Sequence, residues 1–126
     1  MGYISRESMT LVTDGSSNST QFSSGVYSGF IHAIRYATGT ASNIATVATL
    51  TITPELSGLD ILADTNTSVS HTAYPRCTIN TTGGVALGLS SGQFDRVPLG
   101  QERVKVVVSQ GGATKNGTLI LMIEGA

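Results

Sequence analysis

The residues that could perform acid–base chemistry or bind a metal are few and widely spaced. The chain contains two histidines, His32 and His71, and one cysteine, Cys77. His32 alternates with Phe30 and Ile34, a pattern typical of one face of a strand. A zinc site takes three or four ligands, and no third ligand has a suitable spacing. We therefore expect no metal and no other cofactor.

The carboxylates and nucleophiles form no catalytic pattern either. Glu55, Asp60 and Asp64 are spaced too irregularly for a carboxylate pair or a calcium loop. The serines include no G-x-S-x-G turn. Cys77 is unpaired, which excludes an internal disulfide, and it is interpreted as a small, half-buried strand residue. The sequence predicts that the protein is not an enzyme.

A glycine-rich segment, SQGGATKNG (109–117), could in principle hold an anion. A phosphate-binding loop has the order G-x-x-x-x-G-K-[ST] and leads into a helix. Here Lys115 precedes Gly117 and a strand pattern follows. Asn-Gly is a common turn dipeptide, so the segment is predicted to be a β-hairpin turn around Asn116-Gly117.

Composition excludes several classes of protein. The 126 residues carry a net charge of −1 and only 7 Lys and Arg. Proteins that neutralise nucleic acid or anionic membranes use many more cations, so neither partner is expected. No apolar run approaches the ~18 residues of a membrane span, and the N-terminus lacks a signal-peptide pattern. We expect the chain to fold in a cytoplasm.

The apolar periodicity is that of strands. Residues 27–39 and 43–53 alternate and are predicted to form a hairpin, the first with Phe30, His32, Ile34 and Tyr36 on one face. Residues 104–109 and 118–123 are predicted to form the strongest hairpin. The last run is apolar on both faces, which indicates a central strand or one covered by a subunit.

These patterns predict one all-β domain over residues 1–126, a sandwich or barrel of about seven or eight strands that is jelly-roll-like. Pro54 should end a strand, and residues 81–93 are expected to form either a helical turn or a buried loop. Residues 1–25 are predicted to be a polar N-terminal segment, in which residues 8–14 form a short strand and residues 15–25 form a mobile loop or a surface arm.

Some charged and aromatic positions suggest interface or ligand hypotheses. Arg35 and Lys105 are charges on otherwise apolar strands, which indicates a solvated outer face or ion pairs to a neighbouring subunit. Tyr27, Tyr36 and Tyr74 are either core or interface residues, or a platform for stacking sugars.

Four segments resemble a family of small proteins encoded among the virion structural genes of tailed bacteriophages. They are TDGSSNST, VYSGFIHAIRYATG, ATLTITPELSGLDILADTNTSVSHTAYPR and RVPLGQERVKVVVSQGGATKNGTLILMIEG. The last is the most specific, and together they cover most of the chain. The chain departs from the family at GGVALGLSSGQ, where a longer alanine-rich insert is common.

The resemblance implies a virion component, most simply a decoration or cement protein on the major capsid shell. A neck, tail or fibre-base component that contacts other virion proteins or host-surface glycans is the alternative. The implied partners are the major capsid protein and copies of the chain itself, as a homotrimer. We predict interface residues on the strand faces: Arg35, Tyr36, Lys105, Val107, Leu119, Leu121 and Ile123.

Overall fold

The protein is an all-β sandwich. The structure is a computed structural model that describes residues 3–39, 43–45, 47–65, 67, 69–78, 82–85 and 94–125. No helix in this part of the chain could span a membrane. The strands are β1 (Ile4–Val12), β2 (Ser19–Phe22), β3 (Tyr27–Thr38), β4 (Thr49–Pro54), β5 (Leu62–Asp64), β6 (His71–Ala73), β7 (Arg76–Thr78), β8 (Phe94–Glu102), β9 (Val104–Ser109) and β10 (Asn116–Gly125).

The strands form two antiparallel sheets. The six-stranded sheet has the order β1-β10-β3-β8-β7, with β6 also paired to β3, and the four-stranded sheet has the order β2-β9-β4-β5. Without the short strands β6 and β7, each sheet has four strands, in the order of a jelly roll. The predicted fold class is confirmed, and the described residues contain more strands than the predicted seven or eight.

One apolar core fills the space between the sheets. Val104, Val106 and Val108 of β9 are fully buried and alternate with half-buried residues, as their periodicity predicts. Pro54 ends β4, also as predicted. The six-stranded sheet contributes mainly Leu11, Ile31, Ile34, Tyr36, Val97, Leu99, Leu119, Leu121 and Ile123.

The core position of four residues corrects the interface prediction. Leu119, Leu121 and Ile123 of β10 and Tyr36 of β3 are at most 1% exposed. Their side chains pack inside their own chain and are not available to a partner. On β10, it is Ile120 and Met122 that face outward and are partly exposed.

Neither predicted hairpin forms. β9 pairs with β2 and β4, whereas β10 pairs with β1 and β3, so residues 110–115 cross from one sheet to the other. β3 and β4 also lie in different sheets. Positive φ falls at Gln110, Gly112 and Thr114, and Asn116 and Gly117 begin β10 instead of forming a turn. Apolar alternation predicts strands but does not distinguish a hairpin from a crossing.

The N-terminal segment is not a separate arm. β1 pairs with β10 over nine residues, and β2 pairs with β9. Met9 and Leu11 lie in the core. The short strand predicted at residues 8–14 is found as the second half of β1, whereas the predicted loop or arm at residues 15–25 contains β2.

Two crossings lie side by side and are joined through Thr13. Residues 13–18 lead from β1 to β2, next to residues 110–115, which lead from β9 to β10. The buried Thr13 hydroxyl accepts a hydrogen bond from the Lys115 amide at 2.7 Å and donates to the Gly112 carbonyl. The Gly111 amide donates to Ser17 O at 2.8 Å.

A bulge in β3 changes which side chains face the core. Met122 pairs with Ala33 and Ile123 pairs with Ile31, so His32 is the extra residue. Ile31 therefore turns inward, while Phe30 and His32 leave the core face on which simple alternation placed them. Gly29 has φ +132°, and a Cβ there would lie 2.0 Å from Glu124 O, so only glycine fits beside β10.

β8 was not predicted as a strand, and it contains Pro98. β7 accompanies β8 only over residues 94–96, so Pro98 lies beyond the described part of that neighbour. Val97 and Leu99 still reach the core. The prediction for residues 81–93 lies largely outside the described residues.

Glu102 at the end of β8 holds a turn after β4. Its carboxylate accepts hydrogen bonds from the Leu56 and Ser57 amides at 2.8 Å and from the Gly100 amide at 3.1 Å. Burial by itself would raise the pKa of Glu102, but these bonds outweigh it and lower the pKa to about 2. The charged carboxylate is the form that the fold stabilises.

We expect Thr13→Val to destabilise the fold by about 1–3 kcal/mol, because valine leaves the Lys115 amide without its acceptor. The measurement is the free energy of unfolding in denaturant. Thr10→Val, on the exposed face of β1, is the matched control and should change stability little. Equal losses in both variants would contradict the role of Thr13.

We expect Glu102 to stabilise the protein fully above about pH 4.5 and to lose this contribution as the pH falls towards about 2. Unfolding measured across this acid range should show a shallower pH dependence for Glu102→Gln than for the parent protein. Glu55→Gln is the control, since the Glu55 carboxylate meets Arg103 instead of buried amides. An unchanged slope in Glu102→Gln would refute this assignment.

Candidate functional site

A groove of about 390 Å³ crosses the outer face of the six-stranded sheet. Its floor is apolar and comes from the central strands β10 and β3, where Ile120, Met122 and Ala33 lie side by side. Arg6 and Arg35 stand on opposite sides of this floor. The remaining lining residues are Ile4, His32, Thr72 and Tyr74.

The strand register fixes how the two arginines are placed. Arg6 of β1 is opposite Met122, and Arg35 of β3 is opposite Ile120. Two inter-strand spacings of ~4.8 Å and two residues of ~3.4 Å rise therefore separate their Cα atoms, which gives roughly 12 Å. The midpoint lies over β10, between Ile120 and Met122.

The two arginines that line the groove, and Arg76 and Arg96 near it, are the cations of this face. Among the described residues, none of the ion pairs includes Arg6, Arg35 or Arg76. Arg35 donates to Thr72 Oγ1 at 3.3 Å, and Arg76 donates to the His32 carbonyl at 3.0 Å. Next to the groove, Arg96 is paired with Glu124 and lies 4.8 Å from the centre of the Phe30 ring.

The bulge residue His32 borders the groove with Tyr74. Their ring centroids lie 6.2 Å apart, edge to face, and Tyr74 is 62% exposed. The buried Nδ1 atom of His32 has no hydrogen-bond partner among the described residues. This end of the groove is consequently aromatic with one unused polar atom.

The structure places the remaining predicted interface residues apart from each other. Arg35 is exposed at the groove, whereas Lys105 and Val107 lie on the outer face of the four-stranded sheet. Sequence reasoning missed Arg6, Ile120 and Met122. Thr118 and Glu124 share the phase of Ile120 and Met122, and these two polar residues were the available signal that this face of β10 is outward.

The tyrosines do not form one platform. Tyr36 is buried and its hydroxyl donates to Thr67 O at 3.0 Å. The Tyr27 hydroxyl donates to the Glu7 carboxylate, and burial together with that carboxylate raises the pKa of Tyr27 to about 12. Of these three tyrosines, Tyr74 is the one exposed enough to stack against a ligand.

His71 and Asp64 form a pair that sequence spacing did not reveal. Nε2 of His71 lies 2.5 Å from the Asp64 carboxylate, and Nδ1 lies 2.8 Å from the Val69 carbonyl. Both ring nitrogens therefore face acceptors, so the imidazolium fits and no nitrogen is left to act as a base. The pair joins β6 of the six-stranded sheet to β5 of the four-stranded sheet.

The glycine-rich segment is not arranged to hold an anion. The amides of Gly111, Thr114 and Lys115 donate to Ser17 O, Asp14 O and Thr13 Oγ1, all in the neighbouring crossing. Across the described ranges, no three His, Cys, Asp or Glu residues come together as metal ligands. Cys77 lies in β7 as predicted but is exposed, not half-buried.

Fold and surface together define a jelly-roll β-sandwich with an arginine-flanked apolar groove. Comparisons with known proteins add little. No family model matches the chain, and no curated protein does. A solved structure of a protein named FLHE is similar over 98% of this chain and 96% of its own, with 14% identity and a TM-score of 0.47.

We expect the His71–Asp64 pair to make stability depend on pH near neutrality. The Val69 carbonyl and then Asp64 raise the pKa of His71 above 6.5, against the effect of burial. The stabilisation is thus complete below about pH 6.5 and is lost as the pH rises through the higher folded pKa. Denaturant unfolding between about pH 6 and 8 should show this decrease, which His71→Gln should remove. A decrease that persists in His71→Gln would contradict the assignment.

Proposed function

We propose that the chain is a structural, non-enzymatic protein of a tailed-bacteriophage particle, an accessory decoration or cement protein that binds the major capsid shell. The observation that carries the proposal is the groove, an apolar strip between Arg6 and Arg35 on an outer sheet face. Such a surface is suited to contact another macromolecule, since its polar groups stand at the edge of an apolar floor.

The family resemblance supports the same role. Its most specific segment, residues 96–125, comprises most of β8 together with β9 and β10. These strands lie in both sheets and contribute much of the core, so the segment encodes the scaffold. A particle protein needs such a scaffold to hold a contact surface in place.

Low charge is a further support. Charged residues make up 12% of the chain, and several are engaged within it, such as Glu55 with Arg103. Fewer free charges mean fewer ions to desolvate when a surface is covered by a neighbour. We propose that the partners are the major capsid protein and other copies of the chain, assembled as a homotrimer.

The test is to locate the chain in particles of the phage that encodes it. We expect mass spectrometry to find it in purified particles in many copies, and cryo-EM to show the β-sandwich on the outside of the head. Density at the neck, tail or fibre base would support the alternative component and overturn the decoration role. Absence from purified particles would overturn both.

A further inference from the structure

The outer groove has features of a binding site for an extended chain. It runs over β10, with Ile120 and Met122 as its floor and an arginine on each side. An apolar floor of this kind gains free energy when an apolar side chain covers it. The two arginines meanwhile lack carboxylates within the described part of the chain.

We infer that this groove binds an extended acidic segment of a neighbouring protein, with one carboxylate on Arg6, another on Arg35 and an apolar side chain between them. The inference rests on the proposed function only in making that neighbour a virion protein. Arginine binds carboxylates through two parallel hydrogen bonds, which makes it a specific partner for Asp or Glu.

The distance between the two arginines determines how far apart the two acidic residues of the bound segment must be. Their Cα atoms are roughly 12 Å apart across β10, by the strand spacings. In an extended peptide, residues i and i+4 lie ~13 Å apart and point to the same side, with i+2 between them. The fitting pattern is therefore acid-x-apolar-x-acid, with the apolar residue above Ile120 and Met122.

Two other occupants fit less well. A second copy that docked the same face by two-fold symmetry would bring the unpaired Arg6 and Arg35 of both copies together, which like charge disfavours. Nucleic acid would require more phosphate contacts than this groove offers, and the whole chain carries a net charge of −1.

The first experiment measures binding of short peptides to the full chain by fluorescence anisotropy. The probe contains Glu-Thr-Leu-Thr-Glu within a neutral Ser/Thr sequence. One control peptide places the two Glu residues next to each other at the same net charge, and another replaces Leu by Ser. We expect the probe to bind saturably, and each control to bind roughly tenfold more weakly.

Protein variants assign the site. Arg6→Gln and Arg35→Gln should each weaken binding of the probe by roughly tenfold, since each removes one charge-assisted contact. Lys105→Gln removes a cation from the outer face of the other sheet and should leave binding unchanged. Circular dichroism and thermal unfolding verify that all variants are folded, as expected for partly or fully exposed positions.

Three results of these experiments would overturn the inference. Equal binding of the probe and the adjacent-Glu peptide, or equal binding by Arg35→Gln and Lys105→Gln, would overturn the inference. Stronger binding of a DNA oligonucleotide through the same arginines would overturn it in favour of a nucleic-acid site.

A second experiment separates this inference from the proposed function. Fluorescent chain is added to phage particles that lack it, and uptake of the parent protein is compared with that of the Arg6→Gln/Arg35→Gln double variant. Uptake of the parent alone supports both proposals. Equal uptake overturns the acidic-segment inference and leaves the virion role intact. If neither protein is taken up but the peptide still binds saturably, the virion role is overturned and the acidic-segment inference stands.

Discussion

The jelly roll depends on two chain crossings that pass between the sheets together. β1 pairs with β10 in one sheet, and their continuations β2 and β9 pair in the other. Where these two segments of the chain leave one sheet for the other, the hydrogen bonds between strands end. Backbone groups that are buried there need new partners. Thr13, Asp14 and Ser17 of one crossing supply them to residues 111–115 of the other. The N-terminal strands β1 and β2 are thereby joined to the C-terminal strands β9 and β10. The remaining strands extend the two sheets from this four-stranded unit.

A second constraint, the bulge at His32, links the core to the outer surface. Because one extra residue stands in β3, Ile31, Ile34 and Tyr36 all reach the core, and Phe30 and His32 do not. Phe30 then supports the Arg96 guanidinium beside the groove, and His32 meets Tyr74 at its border. A regular strand would place these rings differently. The same backbone irregularity that completes the core therefore shapes the groove.

Much of the fold could be predicted from the sequence, because period-two alternation depends only on which face is buried. The valines of β9 follow directly from this pattern, and the end of β4 at Pro54 follows from the N–H that proline lacks. Connections could not be predicted, since β9 and β10 show the same alternation whether they form a hairpin or lie in opposite sheets. The prediction of which face of β10 is outward was wrong for a related reason. Both faces are apolar, and only the polar Thr118 and Glu124 mark the outer one. The groove depends on which strands become neighbours, and a single sequence does not contain the pairing of Arg6 with Met122.

The two outer faces differ in how many cations lack a carboxylate partner among the described ion pairs: Arg6, Arg35 and Arg76 on the six-stranded sheet, and Lys105 on the four-stranded sheet. On the four-stranded sheet, Arg103 lies 4.4 Å from the Phe22 ring centre and donates to Glu55. That cation already has its carboxylate, so a docking partner would gain little from it. On the six-stranded sheet, four of the seven basic residues, Arg6, Arg35, Arg76 and Arg96, lie on or around one face, and only Arg96 has a carboxylate partner among the described ion pairs. In a chain with few charges, this concentration leaves one face able to attract an acidic surface over about a Debye length of ~10 Å. The apolar floor contributes only after contact, so charge would orient the partner and burial would hold it.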